Sequence, residues 1–121
     1  MDAKVVGQKL VELCKAGKDE EAIASLYDRD IVSLEAVPPP GQGPETKGLE
    51  AVRGKNKRWN ENNTVHAIQV KGPFLLGEKF AVEFTYDITP KETGKRSTMD
   101  EVGVYSVKNG KIIREEFMYT M

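Results

Sequence analysis

The chain has 121 residues, enough for one domain spanning residues 1–121 with one core and no need of covalent staples. Hydrophobic residues make up 39% and charged residues 31%, the balance of a globular protein rather than a disordered or membrane-spanning one. Eighteen basic and 19 acidic residues leave a net charge of −1, which excludes a global field that would gather nucleic acid or an anionic membrane.

Val6, Leu10, Leu13 and Cys14 recur at helical spacing, and Gly17 closes this first helix. Asp19 is placed to cap a second helix whose stripe is Ala22, Ile23, Leu26 and Tyr27. Asp28-Arg29-Asp30 reads as a turn and Ile31 to Val37 as a first strand. The run from Pro38 to Pro44 must be a loop, because proline lacks an N–H and fixes φ. It is either a pocket lip or a plain connector. Gly48 to Asn62 predicts a third helix, with Leu49, Val52, Asn56 and Trp59 on one face and Arg53, Lys55, Lys57 and Arg58 largely off it.

The remainder reads as sheet. Val65 to Lys71 is a strand that Gly72-Pro73 breaks, with Phe74 to Leu76 following. Phe80 to Thr89 alternates, with Phe80, Val82, Phe84, Tyr86 and Ile88 on one face. Ser97 to Val107 and Lys111 to Tyr119 flank Asn109-Gly110, the strongest two-residue hairpin signal. An unbroken register from that turn pairs Val104 with Glu115, Val102 with Phe117 and Asp100 with Tyr119. Paired residues share a face, so Asp100, Val102, Val104, Glu115, Phe117 and Tyr119 are expected together. Both faces of this hairpin are partly apolar. Helices can cover one, and a second copy of the chain is the expected cover for the other, giving a homodimer through the outer face of the sheet.

Three weak signals share one order: Ala16-Gly17-Lys18-Asp19, Leu26-Tyr27-Asp28 and Asn109-Gly110-Lys111-Ile112-Ile113. With the sequence of helices, strand, Pro/Gly loop, helix and meander, the chain resembles the SnoaL-like (nuclear transport factor two-like) superfamily over nearly its whole length. The resemblance implies an α+β fold: a curved antiparallel sheet wrapped around helices as a cystatin-like cone, with a pocket between sheet and helices. It implies a small apolar ligand and frequent dimers. Family members include polyketide cyclases, ketosteroid isomerases, dehydratases and non-catalytic domains, so the fold alone does not define a reaction.

By that resemblance the inward face of the last strand carries Glu115, Phe117 and Tyr119. The isomerase base falls at or beside Glu35, its helix tyrosine on Leu10 and its protonated aspartate on Val102. The cyclase histidine and aspartate fall on Glu115 and Phe117. Neither catalytic set is reproduced. The candidate catalytic residues are therefore Glu35, Asp100 and Glu115, as carboxyls whose pKa burial would raise. Glu35 is a pocket base or an exposed strand-end carboxylate; Asp100 and Glu115 are pocket groups or ion-pair partners of Arg96 or Arg114. The candidate substrate-binding residues are Trp59, His66, Phe84, Tyr86, Val102, Phe117 and Tyr119. His66, the single histidine, is a proton shuttle or a structural strand residue. The basic cluster of the third helix is more simply a solvated face than a nucleic-acid site.

One histidine, one cysteine and scattered carboxylates lack metal-ligand spacing, and Gly41-Gln42-Gly43-Pro44 lacks phosphate-loop spacing, so no metal and no cofactor is expected. A lone Cys14, an N-terminal stretch without a signal-peptide pattern and no long apolar run predict a cytoplasmic protein without a membrane partner.

Overall fold

The computed structural model describes residues 1–38 and 40–120; Pro39, within the expected Pro/Gly loop, lies outside them, as does Met121. Helix α1 runs Ala3–Lys15, and the Asp2 carboxylate caps it by accepting the Val5 N–H at 3.0 Å. Its buried face holds Val6, Leu10 and Cys14 as the periodicity predicts, with Val11 buried as well and Leu13 only partly so. Gly17, at φ +72°, turns the chain into α2, Asp19–Leu26. Asp19 is the first residue of α2 rather than its cap, and three acidic residues in that turn complement the helix dipole.

Strand β1 covers Tyr27–Leu34, four residues earlier than expected at its start. Asp28-Arg29-Asp30 is not a separate turn. It bends within the strand, where the Asp30 N–H reaches the Asp28 carboxylate at 2.8 Å and the pairing with β6 is irregular. The short β2, Glu45–Lys47, pairs with β1 and has no apolar pattern to announce it. Helix α3 runs Leu49–Asn62 and is tied to α2 by Arg53 to Glu20 at 3.2 Å and by Asn60 to Asp19 at 3.1 Å.

Strands β3 (Asn63–Leu76), β4 (Lys79–Pro90), β5 (Ser97–Lys108) and β6 (Lys111–Met118) form the meander. Gly72-Pro73 does not break β3; the strand continues through it with a shift of register against β4. Such irregularities bend a strand and raise its local twist. The order β2-β1-β6-β5-β4-β3 makes one six-stranded sheet. It is mixed rather than wholly antiparallel, because β1 runs parallel to β6. The core lies between α1, α2 and the inner face, where Phe80 stacks on Tyr105 at 5.0 Å between ring centres.

The last hairpin carries the decisive departure. Asn109 (φ 52°) and Gly110 (φ 76°) form the expected turn, and Val107 pairs with Ile112. The register then shifts at Ser106, which pairs with Arg114 instead of Ile113. Beyond the shift Tyr105 opposes Glu115, Gly103 opposes Phe117 and Val102 opposes Met118. A one-residue slip exchanges the faces of every later residue. Glu101, Gly103 and Tyr105 therefore share the inner face with Glu115 and Phe117, while Asp100, Val102 and Val104 turn outward.

Candidate functional site

A cavity of about 790 Å³ opens between the inner face, α2, α3 and the loop after β1. That is the size of an ordinary small-molecule site. The loop contributes Val37, Gln42, Gly43 and Pro44, so it forms a lip of the cavity. One wall is aromatic: Trp59 of α3 lies 5.2 Å from Tyr86 of β4, and Tyr86 stacks 5.9 Å from Phe84.

The opposite wall is polar. Glu35 follows β1 directly and accepts from Lys55 Nζ at 2.8 Å and from the Tyr119 hydroxyl at 2.7 Å. Lys55 also donates to the buried Ser33 hydroxyl and lies 5.5 Å from the centre of the Phe117 ring. The sequence pattern put Lys55 on the solvated side of α3. Its long stem instead carries the ammonium back to the carboxylates.

Glu115 of β6 is 2% exposed and accepts from the Tyr27 hydroxyl of β1. Burial raises its pKa; hydrogen bonds from Tyr27 and Ser33 and the Lys55 charge oppose that rise. Burial and the charge of Glu115 raise the Tyr27 and Tyr105 phenols well above their usual range, so both stay protonated donors. Tyr86 is raised by burial, and Tyr119 reaches about 12 through burial and its bond to Glu35.

Glu101 of β5 lines the cavity beside Phe84, its partner across β4. Burial lifts its pKa to about 7, and the nearby charges of Glu35 and Glu115 add to the rise while Lys55 opposes it. Glu35, Glu101 and Glu115 thus converge on one cavity, where Lys55 is bonded to Glu35 and the exposed Arg58 also lines the wall.

Of the expected residues, Glu35, Glu115, Trp59, Phe84, Tyr86, Phe117 and Tyr119 line the cavity. Asp100 does not line this cavity: the register shift sends it to the outer face, where it accepts from the Thr85 hydroxyl at 2.9 Å and borders a second hollow, of about 470 Å³, shared with Glu35, Phe117 and Tyr119. Val102 is outward for the same reason. His66 is exposed on β3, 2.7 Å from the Thr89 hydroxyl, because the strand is irregular between Val65 and Ala67. The proposed arginine partners are engaged elsewhere, Arg96 with Asp87 at 2.8 Å and Arg114 with Glu116 at 3.5 Å. Sequence reasoning missed Glu101, Lys55, Tyr27 and Ser33. Glu101 alone had a signal: an acid at the other parity of a strand with two half-apolar faces.

Among the described residues no cluster of three or more His, Cys, Asp or Glu is placed to hold a metal ion, and no helix is long and apolar enough to cross a membrane. Cys14, buried against the cavity floor, is pushed up to about 12 by burial first and by Asp19 and Glu115 next, which keeps it an unreactive thiol.

Helices seated in the hollow of a curved mixed sheet, with a cavity between, define the nuclear transport factor two-like class of pocket proteins. The chain belongs to the SnoaL-like domain family, whose model matches residues 1–119. It is similar to a Mesorhizobium loti structure described as a candidate SnoaL-like polyketide cyclase, with 44% identity, a TM-score of 0.93, and coverage of 98% of this chain and 100% of that one. A candidate isomerase from Bacillus subtilis shares the fold at 18% identity and a TM-score of 0.80, over 99% of this chain and 90% of that one. A Catenulispora acidiphila protein described as having a ketosteroid isomerase-like fold, solved with trimethylamine, shares it at 15% identity and a TM-score of 0.75, over 100% of this chain and 88% of that one. No curated protein matches the chain.

Proposed function

We propose that this protein binds a small apolar, carbonyl-bearing molecule and moves a proton on it, as an isomerase, cyclase or dehydratase does. The supporting observation is Glu101, a carboxyl facing an aromatic-lined cavity and poised near neutrality at about 7. A carboxylate of that basicity takes a proton from a carbon beside a carbonyl, and the resulting acid returns it at another position. The C–H electron pair moves into the enolate, whose negative oxygen needs donors. The Lys55 ammonium spends two of its three N–H groups on Glu35 and Ser33 and offers the third at the polar wall. Glu115, with Tyr27, supports Ser33 and Lys55 from beneath.

The test is exchange of the α-hydrogens of 1-tetralone for deuterium in heavy water, followed by NMR. The protein should accelerate exchange over buffer, and Glu101→Gln should remove about 100-fold or more of that acceleration. Exchange no faster than in buffer would leave a ligand-binding domain without chemistry. That second reading is favoured by the locking of Glu35 between Lys55 and Tyr119.

We also propose that two copies pair through the outer face of the sheet, where half-buried Val102 and Val104 adjoin the exposed Met118. A monomer in sedimentation at high concentration would exclude this. The buried, unpaired Cys14 supports a reducing, cytoplasmic setting.

A further inference from the structure

Four carboxyls line the cavity, Asp19, Glu35, Glu101 and Glu115, against two cations, Lys55 and Arg58. Three of the four have donors. Asn60 donates to Asp19, Lys55 and Tyr119 donate to Glu35, and Tyr27 donates to Glu115. Glu101 differs: among the described residues no donor and no cation is bonded to it, and only the more distant Lys55 charge favours its ionised form. Its carboxyl oxygens are not sealed in protein but open on the cavity. A largely desolvated carboxylate without a partner is costly, and a cation brought by a ligand relieves that cost.

The neighbours of Glu101 are aromatic. It stands opposite Phe84 on β4, and its charge reaches Tyr86, whose phenol it helps to raise. Phe84 and Tyr86 stack 5.9 Å apart at 11°, and the Trp59 ring meets Tyr86 at 5.2 Å and 54°. These rings make a corner whose faces carry the negative side of the aromatic quadrupole. The protein already holds one ammonium between a carboxylate and a ring: Lys55 Nζ lies 2.8 Å from Glu35 and 5.5 Å from the centre of Phe117. Glu101 and the aromatic corner form a second pairing of the same kind, to which no cationic side chain among the described residues is bonded.

We infer that the cavity is a binding site for an apolar amine, its cationic nitrogen lying between the Glu101 carboxylate and the rings of Trp59 and Tyr86. The inference goes beyond the proton-transfer reading. A bound cation holds Glu101 in its charged form and fills the place of a reacting carbon, so it competes with that reaction. An anionic ligand would meet the excess of carboxyls, which Lys55, engaged by Glu35 and Ser33, offsets only in part.

The experiment compares benzyltrimethylammonium with neopentylbenzene, the same shape with carbon in place of the charged nitrogen, by calorimetric titration. The quaternary nitrogen is charged at every pH, so a pH dependence belongs to the protein. At pH 8 the wild type should bind the cation about tenfold more tightly than Glu101→Gln does, as one charged contact in a partly desolvated site provides. Neopentylbenzene should bind the two within about twofold. From pH 5.5 to 8 the wild-type affinity for the cation should rise by about tenfold, because Glu101 ionises near 7 and only its carboxylate attracts the cation. The other charged groups facing the site are Asp19 of α2, Glu35 after β1, Lys55 and Arg58 of α3, and Glu115 of β6. Cys14 of α1 and the lining tyrosines are raised and stay neutral over this range. Burial also raises Glu115, so a pH response that survives in Glu101→Gln would belong elsewhere and overturn the assignment. Should Glu101→Gln not fold, Glu101→Met removes the charge at similar length, and the same loss is expected. No cation binding by the wild type, equal cation affinity in wild type and variant, or a neutral isostere that weakens as much as the cation would also overturn it. Failure of the proton-transfer reading is separate. Deuterium exchange would then be absent while the Glu101-dependent binding of the cation persists.

Discussion

The Lys55 ammonium lies 2.8 Å from a Glu35 carboxylate oxygen, joining the inward side of α3 to the end of β1. Both side chains are less than a quarter exposed, so this pair is poorly screened. The ammonium also opposes the rise that burial causes in the pKa of Glu101 and of Glu115. Replacing it should register at both of those carboxyls.

Lys55→Met is therefore expected to destabilise the protein by about 1–3 kcal/mol at neutral pH, because Glu35 loses its charged partner. It should also move the Glu101 titration above its wild-type midpoint of about 7. Urea denaturation and side-chain carboxyl NMR measure the two effects. A Glu101 midpoint that stays put would show that the ammonium does not act across the cavity.

Stability should fall as pH rises through neutrality. The Glu101 carboxyl ionises near 4.5 when unfolded and near 7 when folded. Between those values the folded state binds more protons, so raising the pH favours unfolding, and the loss is complete above the folded pKa. The effect is bounded by roughly 3 kcal/mol and reduced by water in the cavity. Glu101→Gln should flatten the stability profile between pH 5 and 8 while it abolishes exchange. The catalytic rate should move the opposite way to stability, rising through pH 7 as the base ionises. An unchanged stability profile in Glu101→Gln would place the titration elsewhere.

Tyr27→Phe removes a donor from a carboxylate that is 2% exposed. The Glu115 pKa should rise further, and the protein should lose about 1–3 kcal/mol at pH 8. In Glu115→Gln the same tyrosine change should matter less, giving a coupling of about 0.5–3 kcal/mol in a double-mutant cycle. Additive changes would mean that the two groups do not interact.

Gly103 lies on the inner face, where an added Cβ would stand 2.8 Å from the Tyr105 ring. Gly103→Ala should cost about 1–3 kcal/mol by overpacking and disturb the stack of Tyr105 on Phe80. Asp100→Asn, on the outer face, should leave exchange within twofold of wild type. Thermal melts and the tetralone assay check both.

The amino-acid sequence by itself determined the three helices, the strands of the meander and the aromatic wall. These follow from apolar periodicity and turn chemistry, which act within a few residues. Glu115, Phe117 and Tyr119 share one face as alternation requires, and the family resemblance gave that face as the inner one; Trp59 lies on the apolar stripe of α3 as helical spacing requires. Only the tertiary structure decided which acid of β5 enters the cavity. One unpaired residue near Ile113 replaces Asp100 by Glu101, and a bulge leaves no trace in a strand whose two faces are both half apolar. The tertiary structure also decided the partners of Lys55 and Tyr27. Those contacts join positions 20 and 88 residues apart, where chain packing rather than local spacing sets the distance.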